Sequence, residues 1–416
     1  MTQEGEKFAQ AAAEQVARHS YGKLIAYLAA RTRDVAAAED ALSDAFTSAL
    51  ATWPNSGVPD KPEAWLLTAA RRKMIDVVRR RKSAQSGADH LKLIADEMEA
   101  ATMQANEFPD ERLALMFACA HPVIDAAMRA PLILQTILGF DAATIASAFL
   151  IAPAAMGQRL VRAKAKIKQA GIPFRVPERD DLPGRLDAVL EAIYVTFAEG
   201  WTDAAGTELR GRSLAEEGIW LGRLVASLMP NEAEALGLLS LMLYADARRC
   251  ARRGPDGSYV PLAEQDVALW DDDMIDEAET LLLDASRLGQ IGRYQLESAI
   301  QSAHVVRRRT GQADWAAIEH LYDALAELSE SPVVAINRAV AVAENRGAAS
   351  GLLVLDAIGD EARLQTYQPY WAARAELLAR DQKFTEADAA YEIAIGLESD
   401  PASRRFLQRR RGLLRN

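Results

Sequence analysis

Gly139-Phe140-Asp141-Ala142-Ala143-Thr144-Ile145-Ala146-Ser147-Ala148-Phe149, a break at Leu150-Ile151-Ala152-Pro153, and a resumption from Ala154 to Lys168 form the stretch whose reading decides the fold. A short apolar-patterned helix, a tight break and a longer helix opened by a proline make a helix-turn-helix. In the second helix Met156, Leu160, Ala163 and Ile167 recur at helical spacing and share one buried stripe. Gln158, Arg159, Arg162 and Lys166 then point outward, flanked by Lys164 and Lys168, and no acidic residue occurs between Ala142 and Val176. That is the electrostatic footprint of a helix lying in a DNA groove. A pair of packed helices with a solvated charged face gives the same local pattern.

Working outward, 416 residues suggest about three domains of ordinary size, enough to bury more than one core. The two cysteines, Cys119 and Cys250, form no disulfide framework and fit a reducing cytoplasm. The N-terminus carries Glu4 and Glu6 and no apolar segment of the signal-peptide kind. The longest apolar run, Ala235 to Ala245, is too short to span a bilayer, so a soluble protein without a membrane partner is expected. Net charge is −11, but it is unevenly spread. Residues 1–176 hold 22 Lys+Arg against 19 Asp+Glu, +3, and the rest hold 26 against 40, −14. The whole-chain charge is therefore a poor guide to partners.

From Phe8 to Leu50 the pattern is helical, and Asp40 and Asp44, four apart, offer an acidic stripe that suits a basic partner or plain solvent. The prolines and glycine of Trp53 to Pro62 predict a loop. Pro62 and Glu63 then open a helix whose buried stripe is Leu67, Ala70, Met74, Val77 and Val78. Trp65, Arg72, Asp76, Arg79 and Arg80 fall on the opposite face with Lys73 beside them. An aromatic among cations suits stacked bases and phosphates, and equally Trp65 packing on a neighbouring helix. Ser83 to Asp89 reads as a linker, a weakly amphipathic helix and a second break at Asn106 to Pro109 follow, and two more helices lead into the helix-turn-helix. Cys119 and His121 lack companions at metal-ligand spacing, so no metal is expected.

Gly171 to Arg185, with Pro173, Pro177 and Pro183, reads as the main interdomain linker, and the chain beyond it is helical. Trp371, Ala375, Leu378, Ala387, Tyr391 and Ala394 fall at tetratricopeptide-like spacing, although Arg374 stands at a position usually held by leucine. Pro332 to Ala343 and Ala348 to Ile358 repeat the pattern more loosely. The last helix displays Arg404, Arg405, Arg409, Arg410 and Arg411, read as a solvated basic tail.

In this order the features resemble an RNA polymerase sigma factor of the extracytoplasmic-function group. The residues that carry the resemblance are Ala38-Glu39-Asp40-Ala41 through Asp44-Ala45-Phe46, then Ala64-Trp65-Leu66-Leu67-Thr68-Ala69-Ala70-Arg71-Arg72 with Ile75-Asp76 and Arg79-Arg80, and finally Gln158-Arg159-Leu160-Val161-Arg162-Ala163. Phe197-Ala198-Glu199-Gly200, Asp246-Ala247-Arg248-Arg249, Gln265-Asp266 with Trp270-Asp271, Gly292-Arg293-Tyr294-Gln295 and Ser331-Pro332-Val333-Val334 resemble the subgroup with a long helical C-terminal extension. The implied fold is all-α. It comprises a region 2 helical bundle at 1–82, a linker at 83–110, a region 4 helix-turn-helix at 111–172, a linker at 173–185, and a tetratricopeptide-like regulatory extension at 186–416.

The resemblance implies a protein that binds core RNA polymerase, at the β′ clamp and the β flap, and directs promoter-specific initiation. It assigns Glu39, Asp40 and Asp44 to polymerase. Trp65, Arg71, Arg72, Lys73, Asp76, Arg79 and Arg80 go to the minus-ten element, and Asn55, Ser56, Gly57, Val58 and Asp60 to a loop holding a flipped base. Thr144, Ala154, Gln158, Arg159, Arg162 and Lys166 go to the minus-thirty-five element, although Ala154, Met156 and Gly157 give the recognition helix few polar groups. No catalysis and no cofactor are implied. In the extension Asp246, Arg248, Arg249, Gln265, Asp266, Tyr294, Gln295 and His304 could build a ligand pocket, or be hydrogen-bond partners between packed helices. A regulatory protein or a small molecule is the expected partner there. Two other classes fit the residues: a conventional helix-turn-helix regulator with a helical binding domain, and a helical enzyme fused to a DNA-binding segment. The sequence offers the latter no nucleophile–base arrangement or phosphate loop.

Overall fold

The computed structural model describes residues 9–13, 16, 20, 21, 24, 25, 28, 35–82, 110–170, 177–202 and 209–415. The expected linker, weak helix and break over 83–109 lie outside them. The architecture is all-α, and among the described residues the nearest thing to a strand is a single bridge between Arg253 and Tyr259. The chain divides into two compact units, Met1–Thr196 and Phe197–Asn416.

In the first unit α1 (Val35–Ser56) packs against α2 (Pro62–Lys82). The seam holds Ala38, Leu42, Ala45, Ala49 and Trp53 from α1 with Leu66 and Ala70 from α2, all buried. Leu66 takes the fully buried place expected of Leu67, which is half-buried. The expected loop from Trp53 is also corrected, because α1 runs through Pro54 to Ser56. Proline costs a helix one hydrogen bond. In the last turn that loss is small, and Trp53, 2% exposed, anchors the turn in the core. The helix stops at Gly57, whose φ of +81° favours glycine and whose N–H donates to the Trp53 carbonyl at 3.0 Å.

Four helices follow: α3 (Glu111–Cys119), α4 (Ala126–Thr136), α5 (Ala142–Ala148) and α6 (Pro153–Ala170). Aspartates cap the first three. Asp110 accepts from Arg112 N–H and Leu113 N–H, Asp125 from Ala127 N–H, and Asp141 from Ala143 N–H and Thr144 N–H. Pro183 opens α7 (Pro183–Thr202), so Arg185, expected in the linker, is helical. It is buried and donates to the Phe117 carbonyl at 3.2 Å, which ties the start of α7 to α3.

The second unit is a run of helices in which each packs on the next: α8 (Leu209–Leu228), α9 (Ala233–Asp246), α10 (Asp272–Arg287), α11 (Arg293–Val305), α12 (Trp315–Leu328), α13 (Pro332–Arg346), α14 (Ala348–Asp356), α15 (Gln368–Arg380), α16 (Phe384–Leu397) and α17 (Pro401–Gly412). The apolar run noted in the sequence lies in α9, which packs against α8, α10 and α11 and is buried from Ala235 to Ala245. Its close approach to α11 depends on Gly237, where an added Cβ would lie 2.7 Å from Gln295 N. Glu234 of α9 accepts from Tyr294 N–H and Gln295 N–H at 3.0 Å each and caps α11.

Further along, Ala375, Leu378, Ala387, Tyr391 and Ala394 form one buried cluster with Ala339, Leu352 and Leu355. Arg374, the departure from the expected repeat, reaches Asp356 of α14 at 2.6 Å. The last helix is no solvated tail throughout. Arg410 pairs with Glu376 of α15, and Arg411 with Asp388 and Glu392 of α16 at 2.7 and 2.9 Å. Arg405 and Arg409 stay exposed.

Candidate nucleic-acid interface

The helix-turn-helix forms as its sequence requires. Helices α5 and α6 stand at 109° to each other across a break of four residues. Leu150 takes a left-handed conformation in that break, φ 51°, and the Ile151 N–H closes it on the Ala146 carbonyl at 2.9 Å. Met156 and Leu160 are fully buried, with Ala163 and Ile167 half-buried along the same stripe. Ala154, Gln158, Arg159, Arg162 and Lys166 are exposed on the other face. Among them stands Val161, 68% exposed, an apolar group that charge patterning gave no reason to single out. Thr144 differs from its assignment: it is half-buried, and its hydroxyl donates to Asp141 Oδ2 at 3.1 Å, so it belongs to the cap of α5.

On α1, Asp40 and Asp44 are exposed and one turn apart. Asp44 lies 3.5 Å from Lys73 of α2, with both side chains at least half exposed. Glu39, one residue before Asp40, is engaged far along the chain. Lys164 of α6 donates to both its carboxylate oxygens, at 2.8 and 2.9 Å. The pair is mostly covered, with side-chain exposures of 27% for Lys164 and 23% for Glu39. Lys164 therefore turns away from the outward stripe it was expected to flank. Tyr21 lies beside both groups of acids. Burial first, then Glu39 and Asp40, push its hydroxyl up to about 12.

On α2, Arg71, Arg72 and Lys73 are exposed. Asp76, Arg79 and Arg80 belong to the helix, but their side chains lie outside the described residues. Trp65 is half-buried and meets Trp53 edge-on, ring centres 5.5 Å apart at 67°. Part of its ring is thus packing surface and part remains open. Of the expected loop, Asn55 and Ser56 sit in the last turn of α1, where the Ser56 hydroxyl donates to the Thr52 carbonyl at 3.0 Å. Gly57 and Asp60 are exposed and Val58 is half-buried.

The polar residues singled out in the extension mostly face neighbours. Asp246 pairs with Arg249 at 2.6 Å, and Asp266 accepts from the Ala268 N–H at 3.0 Å. His304 packs edge-on against Trp315, 5.3 Å between ring centres. Burial and the nearby Arg248 and Arg307 push His304 down to about 4, so it is neutral near pH 7.

Two families match the chain. The one described as sigma-70 region 2 matches residues 16–84, which include α1 and α2, and a family of unknown function (DUF6596) matches residues 185–286. An uncharacterized protein of Rhizobium meliloti (strain 1021) is 37% identical over 392 residues, covering 93% of this chain and 91% of its own. No solved structure matches. Among the described residues no single helix is long and apolar enough to cross a membrane. With a relative matched along nearly its full length, the chain belongs to one family with that Rhizobium meliloti protein, and its first helices form a sigma-70 region 2, which supports a sigma-factor role in transcription initiation.

Proposed function

We propose that the chain is a sigma factor of the extracytoplasmic-function type, with its own helical extension setting its activity. The observation that carries this reading is the helix-turn-helix itself. It lies downstream of the matched sigma-70 region 2 and keeps Gln158, Arg159, Arg162 and Lys166 on one open face. The acidic face of α1, with Asp40 and Asp44, docks on the β′ clamp of core polymerase. The Arg71, Arg72 and Lys73 face of α2 meets the minus-ten element, with the open part of Trp65 as a stacking surface. The turn around Gly57 to Asp60 holds the flipped base.

In the minus-thirty-five element, Arg159 and Arg162 reach guanine edges or phosphates, and Val161 offers an apolar contact of the kind a thymine methyl accepts. Chemistry is left to polymerase. Copurification with core polymerase tests the reading, together with initiation that depends on the chain at a defined promoter. Charge reversal at Asp40 and Asp44 should abolish copurification. Retained binding refutes the clamp assignment. A chain that binds duplex promoter DNA tightly without polymerase is a conventional regulator and overturns the reading as a whole.

A further inference from the structure

Around the loop that follows α9 the second unit buries more positive charge than it neutralises. Arg248, 8% exposed, spends its donors on neutral acceptors: Nε donates to the Tyr244 carbonyl at 3.1 Å and one Nη to Gln301 Oε1. Arg252 donates to the Trp201 carbonyl at 2.6 Å and lies 3.9 Å over the Trp201 ring. Arg307 donates to the Leu262 and Gln265 carbonyls at 2.8 Å each. Its guanidinium stands 5.3 Å from the Trp270 ring, and that of Arg248 stands 6.0 Å from the same ring. Among the described residues no carboxylate forms an ion pair with any of these three arginines.

Their neighbours are treated differently. Arg249 has Asp246 at 2.6 Å, Arg253 has Asp400 at 2.9 Å, and Arg308 has Asp272 and Asp276 at 2.5 and 3.1 Å. Carboxylates are thus abundant close by, in a part of the chain carrying −14 overall, yet Arg248, Arg252 and Arg307 receive none. Burial first, then repulsion by Arg252 and Arg307, lowers the Arg248 guanidinium to about 10. Burial first, with repulsion by Arg253 and Arg249 and against the raising effect of Tyr259 and Asp400, lowers that of Arg252 to about 10. Both stay charged near pH 7, and His304 beside Arg248 and Arg307 stays neutral. Unpaired buried charge is costly.

Carbonyl dipoles and aromatic faces offset part of that cost. A purely structural role accounts for Arg307, whose fork fastens the 262–265 turn. It leaves Arg248 without a carboxylate and Arg252 with only the more distant Asp400, already paired with Arg253, and it leaves one donor unused. The indole N–H of Trp270, 5% exposed, has no acceptor among the described residues.

We propose that Arg248, Arg252 and the Trp270 N–H form an anion site for an oxyanion of the phosphoryl class. Guanidinium forks match tetrahedral oxyanions through paired N–H donors. A dianion balances two cations where a single carboxylate leaves one uncompensated. The site is independent of the sigma-factor reading, and the acidity of the surrounding unit opposes indiscriminate anion binding.

The test uses the full chain. Thermal unfolding and calorimetric titration are run with inorganic phosphate and with a phosphate monoester, glycerol phosphate. Sodium chloride and acetate at matched ionic strength are the controls. The expected result is a saturable rise in melting temperature with one phosphoryl ligand per chain, beyond the effect of either control. Whichever phosphoryl compound binds more tightly identifies the source. Trp270→Phe keeps an aromatic face for the Arg248 and Arg307 guanidiniums and removes only the N–H, and it should weaken phosphate binding about tenfold. Arg252→Gln should remove it. Phosphate that acts no differently from chloride, or acetate that binds as tightly, overturns the proposal. So does a phosphate affinity unchanged in Trp270→Phe, which decides the matter even if Arg252→Gln does not fold.

Discussion

Replacing Lys164 by Ala should make the protein bind core polymerase more tightly, although the lysine sits on the helix assigned to DNA. Lys164 holds Glu39 through both carboxylate oxygens at 2.8 and 2.9 Å. Glu39 belongs to the face proposed for polymerase, so it cannot serve both partners at once. Exposed ion pairs are worth roughly 0.2–1 kcal/mol, and this one, covered on both sides, stands at the upper end, about 1 kcal/mol. If that pair must open before Glu39 reaches polymerase, its loss should tighten binding about fivefold. The assay is competition binding of fluorescent full-length protein to core polymerase. Lys166→Ala, an exposed neighbour on the same helix, is the control and should leave polymerase affinity unchanged. The gain should also shrink in about 1 M salt, where screening acts over roughly 3 Å. Equal affinity of wild type and Lys164→Ala, or the same gain from Lys166→Ala, refutes the reasoning.

Other outcomes concern stability. Gly237→Ala places a Cβ 2.7 Å from Gln295 N and 2.9 Å from its Cα, so α9 and α11 must part; a loss of about 1–3 kcal/mol is expected in chemical denaturation. Glu234→Ala uncaps α11 by removing two charge-assisted bonds, at a cost of about 2 kcal/mol by the same measurement. Burial opposes ionisation of Asp400, but the Ser403 hydroxyl and N–H and the Arg253 guanidinium outweigh it and hold the carboxyl at about 2. An unfolded aspartate titrates near 3.9, so the unfolded chain takes up the proton first. The stabilisation is therefore complete above about pH 4 and is lost as pH falls toward 2, and Asp400→Asn should flatten that part of the melting-temperature profile. Truncation after Arg175 removes Arg185 and its bond to Phe117, so that fragment should melt below one cut after Thr202.

The periodic parts of the fold were legible because each helix writes its buried face locally. Met156 and Leu160 of α6, and Ala387, Tyr391 and Ala394 of α16, lie where their spacing requires. What escaped was set at long range. Pro54 reads as a breaker, yet the burial of Trp53 holds the last turn of α1 in place. Lys164 reads as a solvated cation, and its partner Glu39 stands 125 residues earlier. Thr144 reads as a surface group, while the local competition of Asp141 for its N–H and hydroxyl turns it into a cap. In the extension, the family resemblance named the stretches that hold Arg248 and Trp270, but only the distribution of carboxylates among neighbouring arginines distinguishes them from ordinary helix-to-helix contacts.

The pairing of the last helix has a genetic consequence. Arg410 and Tyr391 both bond Glu376, and Arg411 bridges Asp388 and Glu392. A nonsense or frameshift change at or before the Arg410 codon would strip two arginines from three carboxylates and expose the apolar flank around Leu407 and Phe406. Late truncations, usually the mildest in a helical array, should here behave as loss of abundance through proteolysis.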